Sequence, residues 1–264
     1  MTLRCSGGGR PDDYVSLSVG FDWSENADSE TAAAYVRSLM DSDAKAEYLG
    51  KFLAARLYGR NREERVHFWV GNGRNGKGKL AELWKRAMGG YWGELPLAFY
   101  TTSPKQAGGP DADLVATKGK RVVMTSETEA DQKFLTSRFK QISGNDTITA
   151  RGMYAKRSEQ FVPAYGPVIQ TNQLPQFSDV DDELMSRLAV VEFRYRFAKP
   201  DELESGNAWM RPADLDIDKR LAAMREGFMA YLSRSMPVTK QTVLSCRWTS
   251  KRPPRSTRER SMRW

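Results

Sequence analysis

The sequence offers little cysteine and almost no imidazole. Its two cysteines, Cys5 and Cys246, stand near opposite ends of 264 residues, which excludes a disulfide framework and a cysteine zinc site. His67 is the single histidine, so histidine-based metal clusters are excluded, and its place inside an apolar run reads as a packed or edge residue. No run of eighteen apolar residues occurs, which leaves no candidate spanning helix and no membrane partner. The first nine residues lack the apolar stretch of a signal peptide, so a soluble intracellular protein is expected. Net charge is also scarce where it would matter. Of the overall +8, residues 240–264 supply most, with eight Lys/Arg against Glu259 alone. The first 239 residues hold 33 basic and 32 acidic groups, so local patches must carry any argument about a polyanionic partner. With 40% apolar and 28% charged residues, the length suits one sizeable core and a small accessory segment.

What the sequence does contain centres on Val66-His67-Phe68-Trp69-Val70-Gly71-Asn72-Gly73-Arg74-Asn75-Gly76-Lys77-Gly78-Lys79-Leu80. Five residues of strand character enter a glycine-rich loop ending in Gly-Lys, and an amphipathic run follows. The spacing, Gly71, four residues, then Gly76-Lys77, is that of a phosphate-binding loop. Glycine turns let backbone N–H groups face a phosphate chain, and the helix adds its positive N-terminal end. Gly71 to Lys79 are therefore the candidate nucleotide-binding residues, with Lys77 reaching the β- and γ-phosphates. The Ser or Thr expected after that lysine, whose hydroxyl binds Mg²⁺, is Gly78. A plain glycine-rich turn between strand and helix is the competing reading.

Before the loop, helices are expected over Thr31–Met40 and Ala44–Tyr58, the second with Tyr48, Leu49, Phe52, Leu53 and Leu57 on one face and Gly59 as its stop. They follow a loop-rich start with one strand candidate, Tyr14–Val19. After the loop, Leu80, Leu83, Trp84 and Met88 form a helix stripe. The strand Val122-Val123-Met124-Thr125 then leads to Glu127 and Glu129, carboxylates placed to hold Mg²⁺ or polarise an attacking water. Residues 146–161 read as a hairpin whose exposed end presents Arg151, Tyr154, Lys156 and Arg157, a basic and aromatic set suited to nucleic acid. A solvated hairpin fits equally well. The strand Gly166–Thr171 ends in Asn172, an amide that could orient a lytic water or simply make a turn. Arg187 lies between an acidic loop and the strand Ala189–Phe193, as a structural ion-pair residue or as an arginine reaching a neighbouring subunit's nucleotide. A final helix covers residues 217–234. Beyond Pro237 the pattern stops in a basic, disorder-like tail. The expected organisation is a helical lead-in over 1–60, a main domain over 61–238 and the tail over 239–264.

With loop, acidic strand, basic hairpin and amide strand in this order, the chain resembles the ATPase core of the superfamily 3 helicases. The likeness is to the helicase–primase branch of poxviruses, other large DNA viruses, phages and plasmids. Gly-Arg-Asn-Gly-Lys, Lys-Gly-Lys-Arg-Val-Val, Ile-Thr-Ala-Arg-Gly-Met-Tyr and Gln-Thr-Asn-Gln-Leu-Pro look like that branch's motifs. The resemblance implies an α/β fold: an AAA+-like P-loop ATPase core with a central parallel sheet, preceded by a small helical segment. It further implies a ring, usually a homohexamer, that hydrolyses ATP with Mg²⁺ and translocates on single-stranded DNA. Lys77 matches the phosphate lysine, Glu127 the metal and water carboxylate, and Asn172 the sensor. Arg151, Tyr154 and Lys156 match the basic hairpin motif, and Arg187 the arginine finger offered across the subunit boundary. Two departures stand out. Gly78 removes a metal ligand, which opens the alternative of a nucleotide- and DNA-binding ring subunit without turnover. The primase half is missing, so a fragment or split gene with a separate primase is expected, and the arginine-rich tail reads as a DNA arm or as out-of-frame sequence.

Overall fold

A computed structural model describes residues 17–24, 26–101, 111–125 and 133–236. The central element is a five-stranded, wholly parallel sheet. Its strands are β1 (Val66–Val70), β2 (Trp92–Glu94), β3 (Val122–Thr125), β4 (Gly166–Thr171) and β5 (Leu188–Glu192), in the spatial order β2-β3-β4-β1-β5. Parallel strands need crossovers and bury both faces, and β1, β3 and β4 accordingly carry no Asp, Glu, Lys or Arg.

Helices α1 (Ser29–Ser38), α2 (Asp43–Ala55), α3 (Lys77–Met88) and α8 (Ile217–Arg234) cover one face. There Trp69 of β1 stacks on Trp84 of α3 at 5.9 Å and 18°, with Phe52, Met124, Val168 and Val191 in the same cluster. Helices α4 (Ala98–Thr101), α5 (Ala112–Ala116), α6 (Thr136–Ser143) and α7 (Asp182–Arg187) lie towards the other face. Phe68 meets Phe134, Phe139 and Phe177 there. Alternation along β1 explains the division: Phe68 and Trp69 are neighbours in sequence and point to opposite layers.

The lead-in helices share the core of the sheet's first face. Asp28 caps α1 by accepting from the Glu30 and Thr31 N–H groups, each at 3.1 Å, and Gly59 ends the helical turn after α2 with φ +66°. Residues 17–19 are not strand; the Ser18 carbonyl accepts one hydrogen bond from Gly90 N–H, and residues 14–16 lie outside the described residues. His67 is packed: it stacks on Phe52 at 3.8 Å, and its Nε2 lies 2.9 Å from the Tyr48 hydroxyl. Burial first, then the Arg56 and Arg65 charges, holds its pKa well below the ordinary histidine value, so it is neutral. Among the described residues no helix is long and apolar enough to cross a membrane.

Candidate nucleotide and nucleic-acid site

In the order β2-β3-β4-β1-β5 the neighbours β1 and β4 lead into helices on opposite faces, α3 on one and α7 on the other, which places a topological switch between them. Ligand crevices of open α/β sheets form at the carboxyl ends of strands flanking such a switch. That is where residues 71–76 lie.

The loop is held from three directions. Gly71 N–H donates to the Thr171 carbonyl at 3.3 Å, and Phe197 N–H donates to the Arg74 carbonyl at 2.7 Å. Asn75 is buried, and its Oδ1 accepts from Lys77 N–H at 3.3 Å. A Cβ at Gly71 would stand 2.5 Å from the Phe193 carbonyl oxygen, so that position admits no side chain. Gly76 caps α3 in the left-handed region at φ +85°.

Lys77 opens α3 and is 7% exposed. Its ammonium donates to the Thr171 carbonyl at 2.8 Å and to the Gly71 carbonyl. Burial lowers its pKa to about 8. Gln170 Nε2 donates to the Lys77 carbonyl at 3.2 Å, tying α3 to the end of β4. The other loop cations are paired internally: Arg74 with Glu202 at 2.8 Å, and Lys79 with Asp218 and, at 3.3 Å, Glu82.

These residues fit a phosphate chain. Among the described residues the N–H groups of Gly73, Arg74, Asn75, Gly76, Gly78 and Lys79 meet no acceptor. The Asn75 Nδ2 is buried without a partner, and space is open around Gly73 and Gly78. The fit to Mg²⁺ is poorer. Among the described residues no three of His, Cys, Asp and Glu cluster, and Gly78 has no hydroxyl. Glu127 and Glu129 lie outside the described residues; β3 ends at Thr125, two positions before Glu127.

Asn172 is exposed directly after β4, whose Thr171 carbonyl receives Lys77. The chain therefore brings Asn172 to the loop edge. Arg187 and the hairpin sit elsewhere. Leu188 pairs with Val66 and Glu192 with Val70, so Arg187 is at the opposite edge, six strand rises or about 20 Å from the loop. Its guanidinium donates to Ser143 Oγ and Glu183 Oε1, each at 3.0 Å. The ladder of Ile148–Ala150 with Glu159–Phe161 is antiparallel and leads into the start of β4. Tyr154 at its tip is 98% exposed, Lys156 and Arg157 are exposed and Arg151 is half-buried. Among the described residues none of these three cations makes an ion pair.

Sequence reading missed Thr171 and Gln170, whose roles are to hold Lys77. It also missed residues 194–212, where Tyr195, Phe197 and Trp209 among Arg194, Arg196 and Arg211 were a visible signal.

No family model matches the chain. It is 30% identical over 237 residues to "Putative helicase L207/L206" of Acanthamoeba polyphaga mimivirus, covering 85% of this chain and 24% of that protein. It is 26% identical over 203 residues to "Putative helicase 022R" of Frog virus 3 (isolate Goorha), covering 75% and 21%. "Putative helicase V13" of Sputnik virophage is 23% identical over 185 residues, covering 68% and 24%. The chain spans about a quarter of the length of these relatives. Among solved structures, the apo NrS-1 C-terminal region matches with a TM-score of 0.57 at 19% identity, over 81% of this chain and 49% of that one. That is a likeness of fold. The chain is thus similar to proteins named as helicases in large DNA viruses and a virophage, on an α/β scaffold with a central parallel sheet.

Proposed function

We propose that the chain is the ATPase core of a superfamily 3 helicase of viral or phage replication. In this reading it hydrolyses ATP at the subunit interfaces of a ring and moves along single-stranded DNA. The observation that carries the proposal is Lys77, buried at the foot of a glycine loop whose surrounding N–H groups are open. An incoming phosphate chain would take the ammonium from the two carbonyls and replace neutral acceptors with charged ones, giving stronger hydrogen bonds.

Residues 73–79 would cradle the phosphates, Asn172 would orient water at the γ-phosphate, and Glu127 with Glu129 would hold Mg²⁺. The chemistry such an ion would supply when bound is neutralisation of phosphate charge. Arg187 is about 20 Å from its own loop, and in this reading it would act on a neighbouring subunit's nucleotide. Arg151, Tyr154, Lys156 and Arg157 would grip the DNA backbone and stack on a base. The ring, its usual hexameric number and a separate primase follow from the family resemblance.

ATP turnover by the full chain, with and without single-stranded DNA, tests the proposal. DNA-stimulated turnover that Lys77→Ala lowers about a hundredfold or more supports it. Tight nucleotide binding without turnover sinks it in favour of a second reading, a binding subunit that does not hydrolyse. Gly78 favours that reading. Nothing stands within 4 Å of where its Cβ would be, so Gly78→Ser is accommodated. If the missing hydroxyl limits turnover, Gly78→Ser raises it; an unchanged rate shows that water fills the ligand position adequately.

A further inference from the structure

Beside the loop lies a segment that the phosphate chemistry leaves unused. Arg196–Ala198 and Met210–Pro212 form a short parallel ladder. Phe197 N–H donates to the loop carbonyl of Arg74 at 2.7 Å, and Arg196 N–H donates to the Trp209 carbonyl at 2.9 Å. Trp209 is therefore two strand spacings from the loop, about 10 Å. A nucleoside triphosphate spans a comparable distance between its outer phosphates and its base.

Cations and rings alternate on this ladder. The Arg211 guanidinium lies 4.1 Å from the Tyr195 ring centre, the Tyr195 and Trp209 rings are 6.1 Å apart at 42°, and Arg194 lies 5.6 Å from the Trp209 ring. Arg194 is fixed by Glu192 at 2.9 Å and Asp41 at 3.3 Å, so the charge beside Trp209 is placed in advance. Trp209 is 47% exposed. A single exposed indole is ordinary on a protein surface. A part-exposed indole beside a tilted aromatic ring and an anchored guanidinium, within nucleotide length of a phosphate loop, is an arrangement on which a base can stack.

We propose that Trp209, flanked by Tyr195 and Arg194, is the stacking platform for the nucleobase of the nucleotide whose phosphates the loop holds. The assignment rests on the phosphate-loop reading. Every base has a π-face, so the platform adds affinity while discriminating weakly between purines.

The test is calorimetric titration of the full chain with ATP and, separately, with inorganic tripolyphosphate, which has no base. Trp209→Ala is expected to weaken ATP about tenfold or more and to leave tripolyphosphate unchanged. Trp209→Phe, which keeps an aromatic face, should retain most of the ATP affinity. Equal loss for both ligands, or undiminished ATP binding, overturns the proposal. A loss confined to oligothymidylate, with ATP unchanged, assigns the platform to a DNA base and overturns it as well. A wild-type chain that binds neither ATP nor tripolyphosphate overturns the phosphate-loop reading itself, whereas one that binds both while Trp209→Ala changes nothing overturns only the platform.

Discussion

The glycine loop and the hairpin tip hold their cations in different ways. At the loop edge every cation has a partner in its own chain: Lys77 on two backbone carbonyls, Arg74 on Glu202, Lys79 on Asp218. At the hairpin tip beyond the other edge, Arg151, Lys156 and Arg157 form no ion pair among the described residues, and Tyr154 is fully in water. A paired cation must exchange one partner for another when a phosphate arrives, so what it contributes is placement. A solvated cation meeting a polyanion releases condensed counterions, so what it contributes is salt-dependent affinity. The contrast suits a loop that positions one nucleotide and a hairpin that holds a long, featureless backbone.

Within this contrast the largest expected effect lies at the hairpin. In a binding titration on a fluorescent oligothymidylate, replacing Lys156 and Arg157 together with alanine should cut affinity severalfold at low salt. The slope of log affinity against log salt should fall by about one for each cation removed. An unchanged slope would place the DNA contact elsewhere and break the contrast.

Arg187 sharpens it next, since this cation is at the hairpin's edge but is tied like those of the loop. Arg187→Ala removes hydrogen bonds to Ser143 and Glu183 and should cost about 1 kcal/mol in chemical denaturation. Mixing Arg187→Ala with Lys77→Ala protein should restore part of the ATP turnover if sites are shared between subunits. Absence of rescue at every mixing ratio would confine Arg187 to its structural role.

The smallest effect is the pH response of the loop. Burial holds Lys77 near pKa 8, so its ammonium is present below that value and lost above it. ATP affinity should be level below about pH 7 and decline as the pH passes 8, while Lys77→Ala shows no such decline. A flat wild-type profile would mean that Lys77 does not bind phosphate.

Long, strongly patterned elements were readable from the letters alone. The final helix expected over residues 217–234 is α8, with Leu221, Met224, Phe228 and Leu232 buried, and strand, loop and helix at 66–88 were recognisable together. The hairpin was visible from β-branched alternation. Short pieces were not. β2 has three residues and α7 has six, too few for a period to declare itself. The contacts that make the site were equally silent. Lys77 is held by the carbonyls of Gly71 and Thr171, and a backbone oxygen has no letter. Ser143 meets Arg187 from 44 residues away, a pairing that only the folded chain creates.

In the proposed reading, DNA at the hairpin and nucleotide at the loop act on one another, since the hairpin leads into β4 and β4 ends at the carbonyl that holds Lys77. The ratio of ATP turnover with single-stranded DNA to turnover without it tests this most directly, measured for the wild-type chain and for the Lys156→Ala, Arg157→Ala double variant. The expected result is a ratio well above one that falls towards one in the variant. A ratio of one in the wild type, or an equal ratio in both proteins, would contradict it.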